Sequence, residues 1–255
     1  MTGDRADVEP HVEQLVGNVG GAVRIGDTVR RPTGPWTPAV HALLDHLAGR
    51  VPHVPRVLGF DEHGREVLSY LPGKVIDVHA EPLTAGQILA VVRWTRAFHR
   101  AVADFRHPGP WRYFPLPDPA LIGHNDIAPY NSCFDGDELV GVFDWDMSGP
   151  TTPLFELAFI AWNCVPLWAD IGPAAAAERL ALVATGYGGF DPVQVLRAVP
   201  LRIGIMLDGI PVAAAAGDAG MANLLALGEP ERSRVALAEL VERIPGIERR
   251  LTAAR

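Results

Sequence analysis

Between His124 and Asp146 the chain reads HNDIAPYNSCFDGDELVGVFDWD, and this stretch restricts the possible fold more tightly than any other. Two apolar segments, Ser132 to Phe134 and Leu139 to Phe143, flank the turn sequence Asp135-Gly136-Asp137. Strands joined by so short a turn close into an antiparallel hairpin. The hairpin brings its ends together, so Asn131 and Asp144 are expected side by side, with Asp126 on the loop just before them. One local element thus offers oxygen ligands for a metal ion and a carboxylate for proton transfer.

The rest of the chain limits the setting. At 255 residues it is long enough for one large or two small domains with real cores. With 48% hydrophobic and 20% charged residues it reads as globular. A net charge of −8 argues against a nucleic-acid partner, because phosphate backbones demand basic patches. Cys133 and Cys164 stand in apolar contexts without metal-ligand spacing, which predicts buried thiols in a reducing compartment. The polar, acidic start MTGDRADVEP does not resemble a signal peptide, and no apolar run is expected to span a bilayer. A cytoplasmic protein without a membrane partner is the expectation.

Residues 11–16, 22–25 and 28–31 read as three short strands, the first two joined by the glycine-rich turn Gly17-Asn18-Val19-Gly20-Gly21. Such a turn can cover phosphates through its backbone N–H groups, although most glycine turns are only turns. Thr37-Pro38 opens a helix carrying Val40, Leu43, Leu44 and Leu47 on one face. Two more strands are expected at 56–60 and 66–71, and Leu71-Pro72-Gly73 marks a boundary between a lobe of residues 1–72 and one of residues 73–255. Beyond it, Thr84 caps a long amphipathic helix on which His99 reads as a packed structural residue. Further helices are predicted around 154–165, 173–185, 191–212 and 230–254.

His124-Asn125-Asp126-Ile127-Ala128-Pro129-Tyr130-Asn131 fits the kinase catalytic-loop pattern H-x-D-(apolar)-x-x-x-N at every defined position. With Phe143-Asp144-Trp145-Asp146 downstream, the chain resembles the aminoglycoside phosphotransferase family of small-molecule kinases. The resemblance implies an α+β, two-lobed, protein-kinase-like fold: a small antiparallel sheet lobe with one helix, then a mostly helical lobe carrying the catalytic hairpin. It implies Asp126 as catalytic base, Asn131 and Asp144 as Mg²⁺ ligands, and ATP or GTP as phosphate donor to a small-molecule hydroxyl. Gly20, Gly21, Ser69 and Leu71 would contact the nucleotide; His124, Asp146 and Glu156 would support the loop, with Asp146 either near a second metal or facing solvent. Trp162 and Asn163 would lie near the acceptor, and the protein would be a monomer or weak homodimer.

Two positions depart from the family. Asn125 stands where relatives have Gly, though Asn tolerates left-handed backbone well. In the sheet lobe, aligning on the strand end favours Arg30 as the phosphate contact and leaves Arg31 exposed. The acid that relatives pair with that cation has no counterpart on the following helix before Asp45, because Val40 or His41 stands there. These departures keep open a kinase-like protein that binds nucleotide or ligand without transfer. A hydrolase metal cluster of His124, Asp126, Asp144 and Asp146 is the third reading.

Overall fold

The computed structural model describes residues 12–15, 21–112, 116 and 118–253. Five strands, β1 (Val12–Gln14), β2 (Val23–Ile25), β3 (Thr28–Arg31), β4 (Val57–Phe60) and β5 (Glu66–Ser69), form an antiparallel sheet in the order β1-β2-β3-β5-β4. Gly26, at φ +59°, supplies the left-handed corner between β2 and β3. The register sets Arg31 opposite Glu66 and Arg30 opposite Val67.

Helix α1 (Thr37–Leu47) lays Val40, Leu43, Leu44 and Leu47 into the core. Thr37 does not cap it as expected; its hydroxyl accepts a hydrogen bond from the Gly34 N–H at 2.9 Å, and Trp36 takes the cap position. After β5 the chain changes sheets. β6 (Lys74–Val75) pairs with β8 (Ser132–Asp135), which pairs in turn with β9 (Glu138–Val142), so β8 and β9 are the expected hairpin. Glycine is required at the crossing: a Cβ on Gly73 would lie 2.7 Å from Val140 and 3.0 Å from Cys133.

A second pairing locks the hairpin in place. β7 (Leu121–Gly123) and β10 (Gly149–Thr151) run antiparallel, with Gly123 opposite Gly149, so residues 124–148 leave and return through one stem. A side chain at Gly123 would collide with Thr151 and with the Glu156 carboxylate.

The remainder is helical: α2 (Ala85–Ala101), α3 (Pro153–Cys164), α4 (Pro173–Tyr187), α5 (Pro192–Ala215), α6 (Ala219–Ala226) and α7 (Glu229–Ala253). Thr84 and Gln87 form a reciprocal capping box at the start of α2, as the sequence predicts for Thr84. One continuous core runs from α1 and the sheet through Trp94, Phe98 and Trp145 to α3, α4 and α5. This is the expected α+β, kinase-like arrangement. The expectation that no segment could span a bilayer needs correction: α5 is long and apolar enough by length and composition, because its few charges are spread over 24 residues. It packs against α3, α6 and α7.

Candidate active site

The loop entering the hairpin is fastened at each residue. His124 is buried, its ring 4.6 Å from that of Trp145 and edge-on to it. Its Nε2 lies 3.1 Å from the Phe143 carbonyl, and its Nδ1 accepts from the Asp126 N–H at 3.3 Å. Burial lowers the imidazole pKa despite the nearby charges of Glu156 and Asp144, and a neutral ring suits one donor and one acceptor nitrogen.

Asn125 takes φ +65°, a left-handed conformation that Asn tolerates better than most residues. Its amide donates to the carbonyls of Met147 (3.3 Å) and Gly149 (3.1 Å), which ties the loop to the far side of the stem. Its N–H donates to Glu156 Oε1 at 2.7 Å, and its carbonyl accepts from Arg202 Nη2 at 2.8 Å. Asn125→Ala is therefore expected to cost more stability than Asn125→Gly. Ala loses both amide bonds and also strains the left-handed backbone, by about 1–3 kcal/mol, whereas Gly loses the bonds alone. Urea denaturation of the two variants checks the order.

Glu156 is itself buried and pairs with His99, which also contacts the Tyr187 hydroxyl at 2.8 Å. Burial favours the neutral acid, but the charge and hydrogen bond of His99 and the Asn125 N–H outweigh it and hold the carboxyl below its usual range. His99 is thus packed and structural, and an ionised Glu156 braces the loop.

Asp126 meets two donors. Oδ1 accepts from the Tyr130 hydroxyl at 2.9 Å, and Oδ2 accepts from Asn131 Nδ2 at 2.7 Å. Burial and the charge of Asp144 push its pKa up to about 7, against the hydrogen bonds from Tyr130 and Asn131 and the charge of Arg202. A carboxylate titrating near neutrality is well matched to accepting a proton.

At the other end of the hairpin the Phe143 N–H donates to the Asn131 carbonyl at 3.0 Å, so Asn131 and Asp144 are brought together as predicted. Asp144 turns through a left-handed conformation (φ 58°, ψ 68°), and its side chain is 49% exposed. Asn131 commits its amide nitrogen to Asp126, so its amide oxygen is the atom that could serve a metal. A carboxylate and an amide oxygen on adjacent backbone fit a hard divalent cation such as Mg²⁺.

The sheet lobe corrects the sequence reading. Arg31 is not exposed: its side chain is 14% accessible and lies among three acids. Nε is 2.8 Å from Glu66, Nη1 is 3.1 Å from Asp144, and Nη2 contacts Asp146. Burial opposes its charge, but Asp146, Asp144 and Glu66 together outweigh burial and hold its proton more firmly than usual. Arg30 donates to Thr28 on its own strand. Side chains alternate along a strand, so aligning one residue out exchanges the two faces.

The acid expected on the helix comes instead from β5. Glu66 stands directly across from Arg31, and His41 of α1 reaches its other oxygen at 2.7 Å. A lone Glu in the apolar strand Glu66-Val67-Leu68 was the available signal.

Asp146 is 9% exposed, which removes the solvent-facing alternative. It bridges Arg31 and Arg112 Nη1 (3.4 Å). Burial raises it to about 6, with Asp144 and Glu66 adding to burial and the two arginines opposing. Arg112, which sequence reasoning missed in its proline-rich loop, forks onto Asp218 with two 2.7 Å bonds and lies over the Trp36 ring at 4.6 Å.

Other expected contacts fare differently. Gly20 lies outside the described residues, and Gly21 has φ +77°. The Ser69 N–H donates to Arg56, the Tyr70 N–H donates to Asp27, and the Leu71 carbonyl lies 3.7 Å from Cys133 Sγ. Trp162 is 4% and Asn163 8% exposed, and the Asn163 amide donates to Phe159; both are packed within α3 and do not line an acceptor surface. The hydrolase cluster also fails. Among the described residues no three His, Cys, Asp or Glu side chains converge as a metal-ligand set, because His124 is turned to Phe143 and Asp146 to arginines.

Similarity to known proteins follows the same lines. The profile of the phosphotransferase enzyme family matches residues 111–193, which contain the whole hairpin. The trifolitoxin immunity protein of Rhizobium leguminosarum bv. trifolii is 34% identical over 182 residues, 65% of this chain and 69% of the relative. Among solved structures, the microcompartment-associated aminopropanol kinase has the same fold at TM-score 0.63 and 12% identity, with 93% of each chain covered. The GDP complex of aminoglycoside 2'-phosphotransferase-IIIa follows at 0.59 and 16% identity, over 92% of this chain and 95% of that one. A choline/ethanolamine kinase family protein from Mesorhizobium loti aligns at 0.56 and 16% identity, over 95% and 94%.

Proposed function

From a chain that belongs to the phosphotransferase enzyme family, we propose a small-molecule kinase that transfers the γ-phosphate of ATP or GTP to a substrate hydroxyl. The observation that carries the proposal is the position of Asp126, raised to about 7 and hydrogen-bonded to Asn131, whose carbonyl accepts from the Phe143 N–H next to Asp144. Phosphoryl transfer asks a protein for positioning and charge neutralisation more than for covalent chemistry.

In this reading the acceptor oxygen bonds to the γ-phosphorus, the bond from that phosphorus to the nucleoside diphosphate breaks, and the acceptor's proton passes to Asp126. Asn131 and Asp144 would hold Mg²⁺, which supplies charge neutralisation at the phosphate oxygens. Arg31, held between Glu66 and the two aspartates, would be the cation facing the phosphates; its place beside Asp144 supports this reading. Gly20 and Gly21 are expected to contact the nucleotide, and the segment from Ser69 to Leu71 would hold the base and join lobes 1–72 and 73–255. Similarity to a protein named for toxin immunity supports a protective role, with an antibiotic or toxin among the candidate acceptors.

Thermal shift with ATP or GTP, with and without Mg²⁺, tests the nucleotide site. A ligand at a hundred times its Kd stabilises by about 2.7 kcal/mol, which corresponds to a rise of roughly 5–10 °C for a chain of this size. A rise with Mg²⁺ and one base is expected; no rise with either nucleotide would sink the proposal.

A further inference from the structure

Tyr130 stands outside the roles assigned so far. It lies in the single 3₁₀ turn Pro129–Asn131, where Pro129 and Asn131 are buried and Tyr130 alone is exposed, at 50%. Its hydroxyl nevertheless reaches the proposed base, 2.9 Å from Asp126 Oδ1.

The two oxygens of Asp126 are not equivalent. Oδ2 faces Asn131 Nδ2 at 2.7 Å, and the same nitrogen also holds the Asp126 carbonyl at 3.0 Å, so this oxygen is part of the loop's internal bonding. Oδ1 is the oxygen left for a nucleophile, and a hydroxyl already donates to it at the distance an acceptor hydroxyl would adopt. That hydroxyl belongs to a half-exposed side chain, so withdrawing it leaves no cavity in the core.

We infer that Tyr130 is a guard on Asp126: without acceptor its hydroxyl takes the nucleophile's place, and an arriving acceptor hydroxyl displaces it. The inference rests on the kinase reading above. The reaction it restrains is hydrolysis, in which a water oxygen bonds to the γ-phosphorus, the bond to the nucleoside diphosphate breaks and the water proton passes to Asp126. Tyr130 is thus a positioning residue that couples nucleotide consumption to the presence of an acceptor.

The test is Tyr130→Phe in the full chain, with nucleotide hydrolysis measured in Mg²⁺ without any acceptor. The guard predicts a rise of roughly tenfold, the effect of removing one hydrogen bond to a charged group. With an acceptor present, it predicts a lower KM for the acceptor and an unchanged kcat. If Tyr130 only buttresses Asp126, kcat falls, hydrolysis without acceptor does not rise, and the inference is overturned. A phosphoryl group found on Tyr130 by mass spectrometry would also overturn it, because the hydroxyl would then be an acceptor. Should wild type and variant alike leave ATP and GTP intact under all acceptors, the kinase reading fails and the guard with it. Turnover in both with equal hydrolysis removes the guard alone.

Discussion

Replacing Asp126 by Asn is expected to lower phosphoryl transfer by about 10²–10⁴-fold and, above neutral pH, to make the protein harder to unfold. Both effects come from the same placement. The carboxyl titrates near pH 7 in the folded chain, against 3.8 as its ordinary value, because burial and Asp144 disfavour the charge. A folded-state pKa raised in this way favours folding in the protonated form. The contribution is whole below about pH 4 and is lost as pH climbs through 7. Asn mimics the protonated acid, so its advantage in thermal midpoint should be largest at pH 8, smaller at pH 5 and gone below about pH 4. For the wild type, kcat/KM should fall with acid below a limb well above the ordinary carboxylate range and no higher than about pH 7, since a cation near Asp144 can only lower it. Equal midpoints for Asp126→Asn and wild type at pH 8 would contradict this placement.

Arg31→Met is expected to be the most damaging single change in the sheet lobe. It leaves Glu66, Asp144 and Asp146 without the guanidinium that joins them. Removing one partner of a buried ion pair typically costs about 3–5 kcal/mol. The loss should be smaller at pH 5 than at pH 8. Asp146 already titrates near 6 and, without Arg31, would hold its proton to higher pH, which removes part of the uncompensated charge. Nucleotide affinity should fall by roughly tenfold or more, as for loss of a hydrogen bond to a charged group. Arg30→Met should leave both stability and nucleotide binding near wild type, since Arg30 bonds only to Thr28 among the contacts described. Denaturation curves at the two pH values, with nucleotide titrations of both variants, separate the arginines. The reverse ranking would return the phosphate contact to Arg30.

What was legible in the sequence was local. The hairpin of β8 and β9 follows from apolar segments around an Asp-Gly turn, and α2 follows from a cap and an apolar stripe. The loop spacing picks out Asp126 and Asn131, which the structure joins by a hydrogen bond, and Asn125 adopts the left-handed backbone its amide permits.

What was missed depends on partners far along the chain. The β7–β10 stem is two three-residue strands that look like loop until Gly123 meets Gly149. The Glu66–Arg31 pair needs the strand register, and parity along β3 cannot be read from two consecutive arginines. Arg112 reaches Asp146 at the hairpin end from a proline-rich loop, and Arg202 reaches the Asn125 carbonyl from α5, with no local pattern to announce either. Trp162 was credited with an acceptor contact because it follows the hairpin closely, but α3 is buried nearly all round and holds it in the core. Helix α6 falls between the helices expected at 191–212 and 230–254 and was not anticipated, since eight residues show little periodicity.

The most direct measurement is phosphoryl transfer itself. Purified protein is incubated with ATP or GTP, Mg²⁺ and a panel of hydroxylated antibiotics, toxins and metabolites, and each acceptor is weighed by mass spectrometry. The structure predicts one phosphoryl group added to a hydroxyl of one acceptor class, abolished by chelating the metal and by Asp126→Asn. Transfer that persists in Asp126→Asn at the wild-type rate would contradict the assignment of the base and, with it, the central claim.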